Sequence, residues 1–433
     1  MVPTLGVSPS SVRLGWLDAL RGWAALVVAL HHAAYLFFPA MRVVLNGRFD
    51  LGTYGVLVFF LVSGYIVPAS LERRGSVRGF WISRFCRIYP LLAVTCLLAV
   101  LPFLLGVLGL RAGLEEYHPA TAVLAHLTML QDLLAVPNVM NVLWTLSYEM
   151  AFYLLVVALF VAGAHRRSAP VAAGLGAAAV LAGGTLPVAL LSRTAGTGPV
   201  VAVAAAALAV AVGAAMTERP GPRAAGGLLG GLLAAVLVTA NGRIAAWQGL
   251  IMLAVMFAGT AVHRAERGQI GRRAAALAAA AVLVSAVGTG AWHARGGGWE
   301  AELDWCGPVL LAAATFGAAW ALRNRRFPRW AVGLGTVSFS VYLLHPLLLM
   351  VATQFLHATP RNDLAGLAVF FLLLLALSWA AQRWVEAPGQ RLGRFLIRRT
   401  VPDRAAPPRA GTAPAPAGVP GMIADEDGAA PRR

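Results

Sequence analysis

The chain has 433 residues, of which 59% are hydrophobic and only 12% charged, and its formal net charge is +17. So little charge over this length excludes a soluble globular domain and points to an all-α polytopic membrane protein. There is no lysine, so all 35 cations are arginine; an arginine-rich inner face beside anionic lipid accounts for the charge without nucleic acid.

Apolar runs of roughly seventeen to twenty-five residues recur, each long enough to cross a hydrocarbon core of roughly 30 Å. They predict about 10 to 12 transmembrane helices. In chain order the expected spans are 17–38, 53–70, 88–110, 142–163, 169–192, 199–216, 225–240, 245–262, 274–293, 305–322, 333–355 and 363–384. The first run is too long for a cleavable signal peptide, and no small-residue cleavage site follows it. With the N-terminus inside, alternating spans put Arg73, Arg74, Arg78, Arg84 and Arg87 and the clusters at 166–167, 219–223, 264–273 and 323–329 in cytoplasmic loops. Arg42, Arg48, Arg111, Arg193, Arg243, Arg295 and Arg361 fall outside. This asymmetry predicts a multi-pass protein of the cell (inner or plasma) membrane with both termini cytoplasmic. Residues 1–16 form a cytoplasmic N-terminal segment, 17–388 the membrane domain, and 389–433 a basic, amphipathic juxtamembrane segment followed by a Pro/Ala/Gly-rich tail with disordered composition. Cys86, Cys96 and Cys306 have no CxxC or metal-ligand spacing, so neither a disulfide nor a metal is expected.

Ionisable groups inside a bilayer are costly, about 2.5 to 3.5 kcal/mol on insertion scales, which makes the few present functional candidates. In LDALRGWAALVVALHH, eleven steps separate Arg21 from His32, about 20° past three full turns. The two share a helix face, about 16 Å apart along it, with Asp18 close to the same line. His31 points about 100° away, toward a neighbouring helix or lipid. In FFLVSGYIV, Ser63 and Gly64 break an apolar run and suit close helix packing. In SRFCRIYPLL, Arg84 and Arg87 lie three residues apart at the entrance of the third span and offer two planar forks suited to phosphate; snorkelling to headgroups is the other reading. LWTLSYEMAFYLL puts Glu149 at membrane depth without an arginine in its span, so it must find a partner or stay protonated. Glu149 and His32 both fall in the outer half, within reach of a pairing. In VSFSVYLLHPLLL, Ser338, Tyr342 and His345 form a polar stripe, either facing a ligand or making an interhelical seam, and Pro346 removes a backbone hydrogen bond beyond it.

Taken in order, LDALRG, the arginine with a histidine eleven residues on, FFLVSGYI, RFCRIYP, WTLSYEMAFYL and SFSVYLLHP resemble the motif series of the integral-membrane acyltransferase 3 family, over residues 17 to about 388. Ala19 and Tyr65 stand where many members have glycine and phenylalanine. The resemblance implies transfer of an acetyl or other short acyl group from acyl-CoA, acetyl-CoA foremost, to a hydroxyl of a glycan, lipid-linked sugar, cell-envelope polymer or natural product, with no tightly bound cofactor. It implies that His32 is the catalytic histidine, that Arg21 is its family partner, and that Arg84 and Arg87 are the cytoplasmic Arg-x-x-Arg. On this reading Arg21, Arg84 and Arg87 hold the CoA phosphates at the inner surface, and His32 takes the proton from the acceptor hydroxyl. Glu149 is expected to orient the His32 ring. Asp18, Trp144, Tyr148, Ser338, Tyr342 and His345 are the candidates for binding the acceptor or the developing oxyanion. A covalent acyl-histidine relay is a second mechanism open at this stage. The rival function is a transporter or flippase in which Arg21, His32, Glu149 and His345 relay protons.

Overall fold

The computed structural model describes residues 15–110, 113–182, 184–295 and 297–400. Most of the predicted N-terminal segment, Arg111 and the tail from 401 lie outside the described residues. Within them the regular structure is entirely helical. The long helices are α1 (Gly15–Phe37), α2 (Leu51–Arg74), α3 (Val77–Leu104), α4 (Trp144–Val161), α5 (Ser168–Ala182), α6 (Thr197–Ala215), α7 (Pro220–Ala240), α8 (Ala246–Glu266), α9 (Arg272–Ala294), α10 (Gly298–Ala321), α11 (Arg329–Met350), α12 (Leu364–Ala381) and α13 (Ala387–Thr400). Ten spans among the described residues are long and apolar enough to cross a membrane. Outside those ten, α5 has 15 residues, about 22 Å of helix, and α10 carries Glu300, Glu302 and Asp304 near its start.

Small residues set where the helices touch. α1 packs most extensively on α11, and its Gly22 lies against Leu334 and Gly335 while Gly335 lies against the backbone of Asp18. A Cβ at either glycine collides with the facing helix. α2 crosses α8 in the same way: Gly64 meets the backbone of Met256, Gly259 meets that of Leu61, and Thr260 Oγ1 donates to the Gly64 carbonyl at 2.7 Å. Without a hydrophobic gain between helices in lipid, such contacts and interhelical hydrogen bonds hold the bundle.

Two predicted spans are corrected. The third helix begins at Val77 and not near 88, because Ser76 caps it by accepting from Gly79 N at 3.1 Å. Arg84 and Arg87 therefore sit two to three turns inside α3 instead of at its entrance. The expected 169–192 span is divided into α5 and a separate short helix, Leu190–Ala195, entered through Ala189 in the left-handed region. The predicted juxtamembrane segment is α13. Its Gly389 and Gly393 let it lie against Cys86 and Pro90 of α3.

Between the short helix Pro119–Leu127 and α4 the chain takes an irregular, mostly buried path over 128–140. Side chains satisfy that backbone: Gln131 Nε2 donates to Asn138 Oδ1 and to the Leu143 carbonyl, both at 3.0 Å. Asn138 Nδ2 donates to Asp132 Oδ1 at 3.0 Å, and Asp132 N donates to Ser147 Oγ at 3.2 Å. This network fixes the 3₁₀ turn Asn141–Leu143 that leads into α4.

Candidate functional site

Two cavities open along α1, one at each end of the Arg21–His32 face. The larger, about 1030 Å³, is lined by His31, His32, Tyr35, Asn141 and a mainly apolar wall that includes Leu36, Val139, Met140, Leu347 and Met350. His32 Nδ1 lies 3.0 Å from His345 Nε2, with the rings stacked, and His32 Nε2 lies 2.9 Å from Asn141 Nδ2. His345 Nδ1 lies 3.0 Å from the Val341 carbonyl.

Donor and acceptor chemistry fixes the tautomers of this row. A carbonyl only accepts, so His345 donates from Nδ1 to Val341, and in the neutral ring its Nε2 is an acceptor. His32 therefore donates from Nδ1 to His345. Its Nε2 lone pair accepts from the Asn141 amide. The basic nitrogen of His32 is thus the one beside Asn141 and the cavity, and His345 holds the ring from behind. That is the geometry of a general base with an orienting partner.

His31 is turned to another helix, as expected: its Nδ1 lies 3.5 Å from Asp50 Oδ1, and Asp50 caps α2 by accepting from Gly52 N and Thr53 N. It nonetheless lines the same cavity.

The second cavity is small, about 90 Å³, and is lined by Arg21, Ser63, Arg84, Arg87, Thr145, Glu149, Tyr153 and Tyr342. Arg84 is 7% exposed, sits between the Phe80 and Tyr153 rings with 5.4 Å to each centroid, and has no hydrogen-bond partner for its Nε among the described residues. Asp18 lies within electrostatic range of Arg21 and Arg87, as does Glu386, whose buried carboxylate accepts from Ser340 Oγ. A row of three guanidiniums with an unused donor is suited to an anion.

Glu149 requires a correction. Its carboxylate accepts from the Tyr153 hydroxyl and faces the arginines, and the residue bonded to His32 Nδ1 is His345. Depth along the bundle matched Glu149 to His32, but its face on α4 turns it to α3. Three predicted ligand contacts also move to the interior, among them His345, which is buried behind His32 and lines neither cavity. Ser338 is buried and bonds back to the Gly335 carbonyl of its own helix at 2.8 Å. Tyr148 is buried against Gly249 and Trp144. Trp144 lines a separate pocket of about 550 Å³ that shares Asn141 with the large cavity.

Tyr342 stands between the two cavities. Its hydroxyl donates to the Val142 carbonyl at 3.0 Å and lies 2.8 Å from Thr145 Oγ1, its edge meets Phe59, and its ring centroid is 6.0 Å from that of His345. The residues that sequence reasoning missed are Asn141 and Glu386. Asn141 sits in an irregular turn where no periodicity marks a face. Glu386 had one faint sign, a lone carboxylate in the basic stretch RWVEAPGQR.

The family model of the acyltransferase domain, acyltransferase 3, matches residues 14–383, a stretch that carries α1 through α12 and both cavities. The chain belongs to the acyltransferase 3 family. Among curated relatives, the acyltransferase MdmB of Streptomyces mycarofaciens is 38% identical over 154 residues, 34% of this chain and 39% of the relative. Nodulation protein 10 of Rhizobium leguminosarum bv. viciae is 32% identical over 157 residues, 32% of this chain and 41% of the relative. The matched stretches thus span about two fifths of each relative's length. No solved structure matches the chain significantly.

Proposed function

We propose that the protein is a membrane-embedded O-acyltransferase that moves an acetyl or other short acyl group from cytoplasmic acyl-CoA to a hydroxyl of a carbohydrate, cell-envelope or secondary-metabolite acceptor, with His32 as general base. The observation that carries this reading is the row Asn141–His32–His345–Val341, which points one basic nitrogen at a large cavity. Family membership supports the reaction type. The arginine cavity at the other end of the same helix face supports a phosphorylated donor.

The chemistry follows from the tautomers. The acceptor hydroxyl replaces Asn141 at His32 Nε2 and gives its proton there as its oxygen bonds to the thioester carbon. The resulting imidazolium keeps its Nδ1–H on His345, whose lone pair disperses the charge. The freed Asn141 amide then has an N–H to offer the carbonyl oxygen as it becomes negative. Collapse breaks the C–S bond, and the CoA thiolate leaves with the proton from Nε2. Donor phosphates on Arg21, Arg84 and Arg87 lie about 16 Å from His32 along α1, a span for the pantetheine arm. Tyr342 lies across that route, so delivery of the thioester requires the ring to swing off Val142 and Thr145. In this reading both termini face the cytoplasm of the cell membrane, because the arginine-rich loops do.

A thioester held beside a general base leaks some acyl group to water. The full-length protein in lipid nanodiscs is therefore expected to release free CoA thiol from acetyl-CoA above the buffer rate. A transporter leaves the thioester intact, and a rate equal to buffer contradicts the proposal.

A further inference from the structure

The reversal from α2 to α3 reads R-R-G-S-V-R, and each residue has a physical part in it. Gly75 adopts the left-handed conformation, φ 62°, which ends α2 and turns its last arginines toward the start of α3. Ser76 then caps α3, its hydroxyl oxygen accepting from Gly79 N. Arg74 Nη1 locks the corner by donating to the Gly79 carbonyl at 3.0 Å. The result is a pocket of about 500 Å³ that lies apart from the Arg84 and Arg87 cavity.

Five guanidiniums border this pocket: Arg73, Arg74 and Arg78 from the corner, Arg223 from α7, and Arg398 from α13. Two acids also line the pocket, Glu72 and Glu218, but Glu72 is bonded to the buried Arg264 and among the described residues none of the five arginines has a carboxylate within 4.0 Å, so the lining keeps an excess of positive charge. Unpaired arginines spread singly around a loop are the ordinary signature of lipid contact. Here residues from the α2–α3 corner, α7 and α13 converge on one concavity, and Thr217 adds to its wall. A phosphomonoester fits that chemistry, with up to two negative charges and three terminal oxygens for planar forks.

Position supplies the rest. Arg78 lies six residues before Arg84 on the same helix, about 9 Å of axial rise, and Arg74 is within electrostatic range of Arg84. In order along the axes of α3 and α1, the five-arginine pocket comes first, then the cavity of Arg84, Arg87 and Arg21, then His32. CoA presents its charged groups in that sequence: a ribose 3′-phosphate at the far end, a pyrophosphate, then an uncharged arm ending at sulfur.

We infer that the pocket bordered by Arg73, Arg74, Arg78, Arg223 and Arg398 is a second phosphate site, which takes the ribose 3′-phosphate of the CoA donor. The inference rests on the donor reading above, and it assigns the pyrophosphate, not the 3′-phosphate, to Arg84 and Arg87. The same chemistry would suit the phosphate of an anionic lipid headgroup, so the test separates the two sources.

The full-length protein in nanodiscs of phosphatidylcholine is titrated by calorimetry with CoA and with 3′-dephospho-CoA. Charge-assisted hydrogen bonds contribute roughly 1.5 to 3 kcal/mol each, so dephospho-CoA is expected to bind at least about tenfold more weakly. In R78Q/R223Q, which leaves the Arg74 corner bond intact, CoA affinity is expected to fall to the dephospho-CoA level while dephospho-CoA affinity stays unchanged. Equal affinities of the wild type for the two ligands overturn the inference and leave the donor reading standing. Equal affinities for the two ligands together with phosphatidic acid binding that is abolished in R78Q/R223Q overturn it in favour of a headgroup site. Failure of the wild type to bind either CoA overturns the donor reading with it.

Discussion

The Nδ1–H of His32 is donated to His345 Nε2, and that single bond decides which ring nitrogen faces the large cavity. His345→Ala is therefore expected to lower kcat for acyl transfer by roughly a hundred- to a thousandfold, within the usual worth of an oriented general base. KM for acetyl-CoA is expected to stay constant, because the arginine cavity is untouched. Residues that act as one unit are not additive, so the His32→Ala/His345→Ala double variant should be little worse than His32→Ala alone; steady-state kinetics on the four proteins measures this. A different residue carries a pH signature. In the 128–140 connector, burial raises the Asp132 carboxyl above its ordinary 3.8, against the Asn138 hydrogen bond and the Arg243 charge that lower it, and its Oδ2 has no partner among the described residues. A raised folded-state pKa means that the acid's favourable contribution is full below about pH 4 and is lost as the pH rises through the folded value. Asp132→Asn is expected to match or exceed the wild-type Tm at pH 7 and to lose that advantage near pH 4, as followed by thermal unfolding in detergent. At this scale the sequence distinguished the directions of His32 and His31 because helix phase is arithmetic. It could not find Asn141, which lies in a 3₁₀ turn shaped by Gln131 and Asn138.

Helix crossings hold the two cavities in register. α2 meets α8 where Gly64 approaches the Met256 backbone and Thr260 bonds to the Gly64 carbonyl, and α2 also carries Phe59 against Tyr342. Any side chain at Gly64 must push α2 away, and overpacking typically costs 1 to 3 kcal/mol. Gly64→Val is expected to lower the thermal midpoint by several degrees and to depress acyl transfer without loss of expression; an unchanged midpoint would remove this crossing from the account. The S-G-Y break was readable as a packing device because small residues in an apolar run have few other uses. The start of α3 was not readable by hydropathy, since Arg78, Arg84 and Arg87 interrupt the apolar signal while the Ser76 cap starts the helix before them. Glu149 was misassigned for a related reason: residue count gives depth in the bundle, whereas the partner of a side chain depends on rotation and on which helix lies alongside.

For the whole molecule, the sequence carried the membrane class, the number of helices to within the range stated, and the placement of Arg21 and His32 at opposite ends of one face. The way α1, α2, α3, α4 and α11 line the two cavities depends on long-range crossings such as Gly335 against Asp18, and no local pattern encodes those. Under the proposed function, the charge asymmetry of the loops, the buried arginines and the His32 row correspond to a donor entering from one side of the bundle and a base near the other. The most direct test of that description is release of CoA thiol from acetyl-CoA by His32→Ala protein in nanodiscs, measured beside wild type with CoA binding checked in both. The account predicts unchanged CoA affinity and a rate lower by about 10² to 10⁴ fold. A folded His32→Ala protein that turns over acetyl-CoA at the wild-type rate contradicts it.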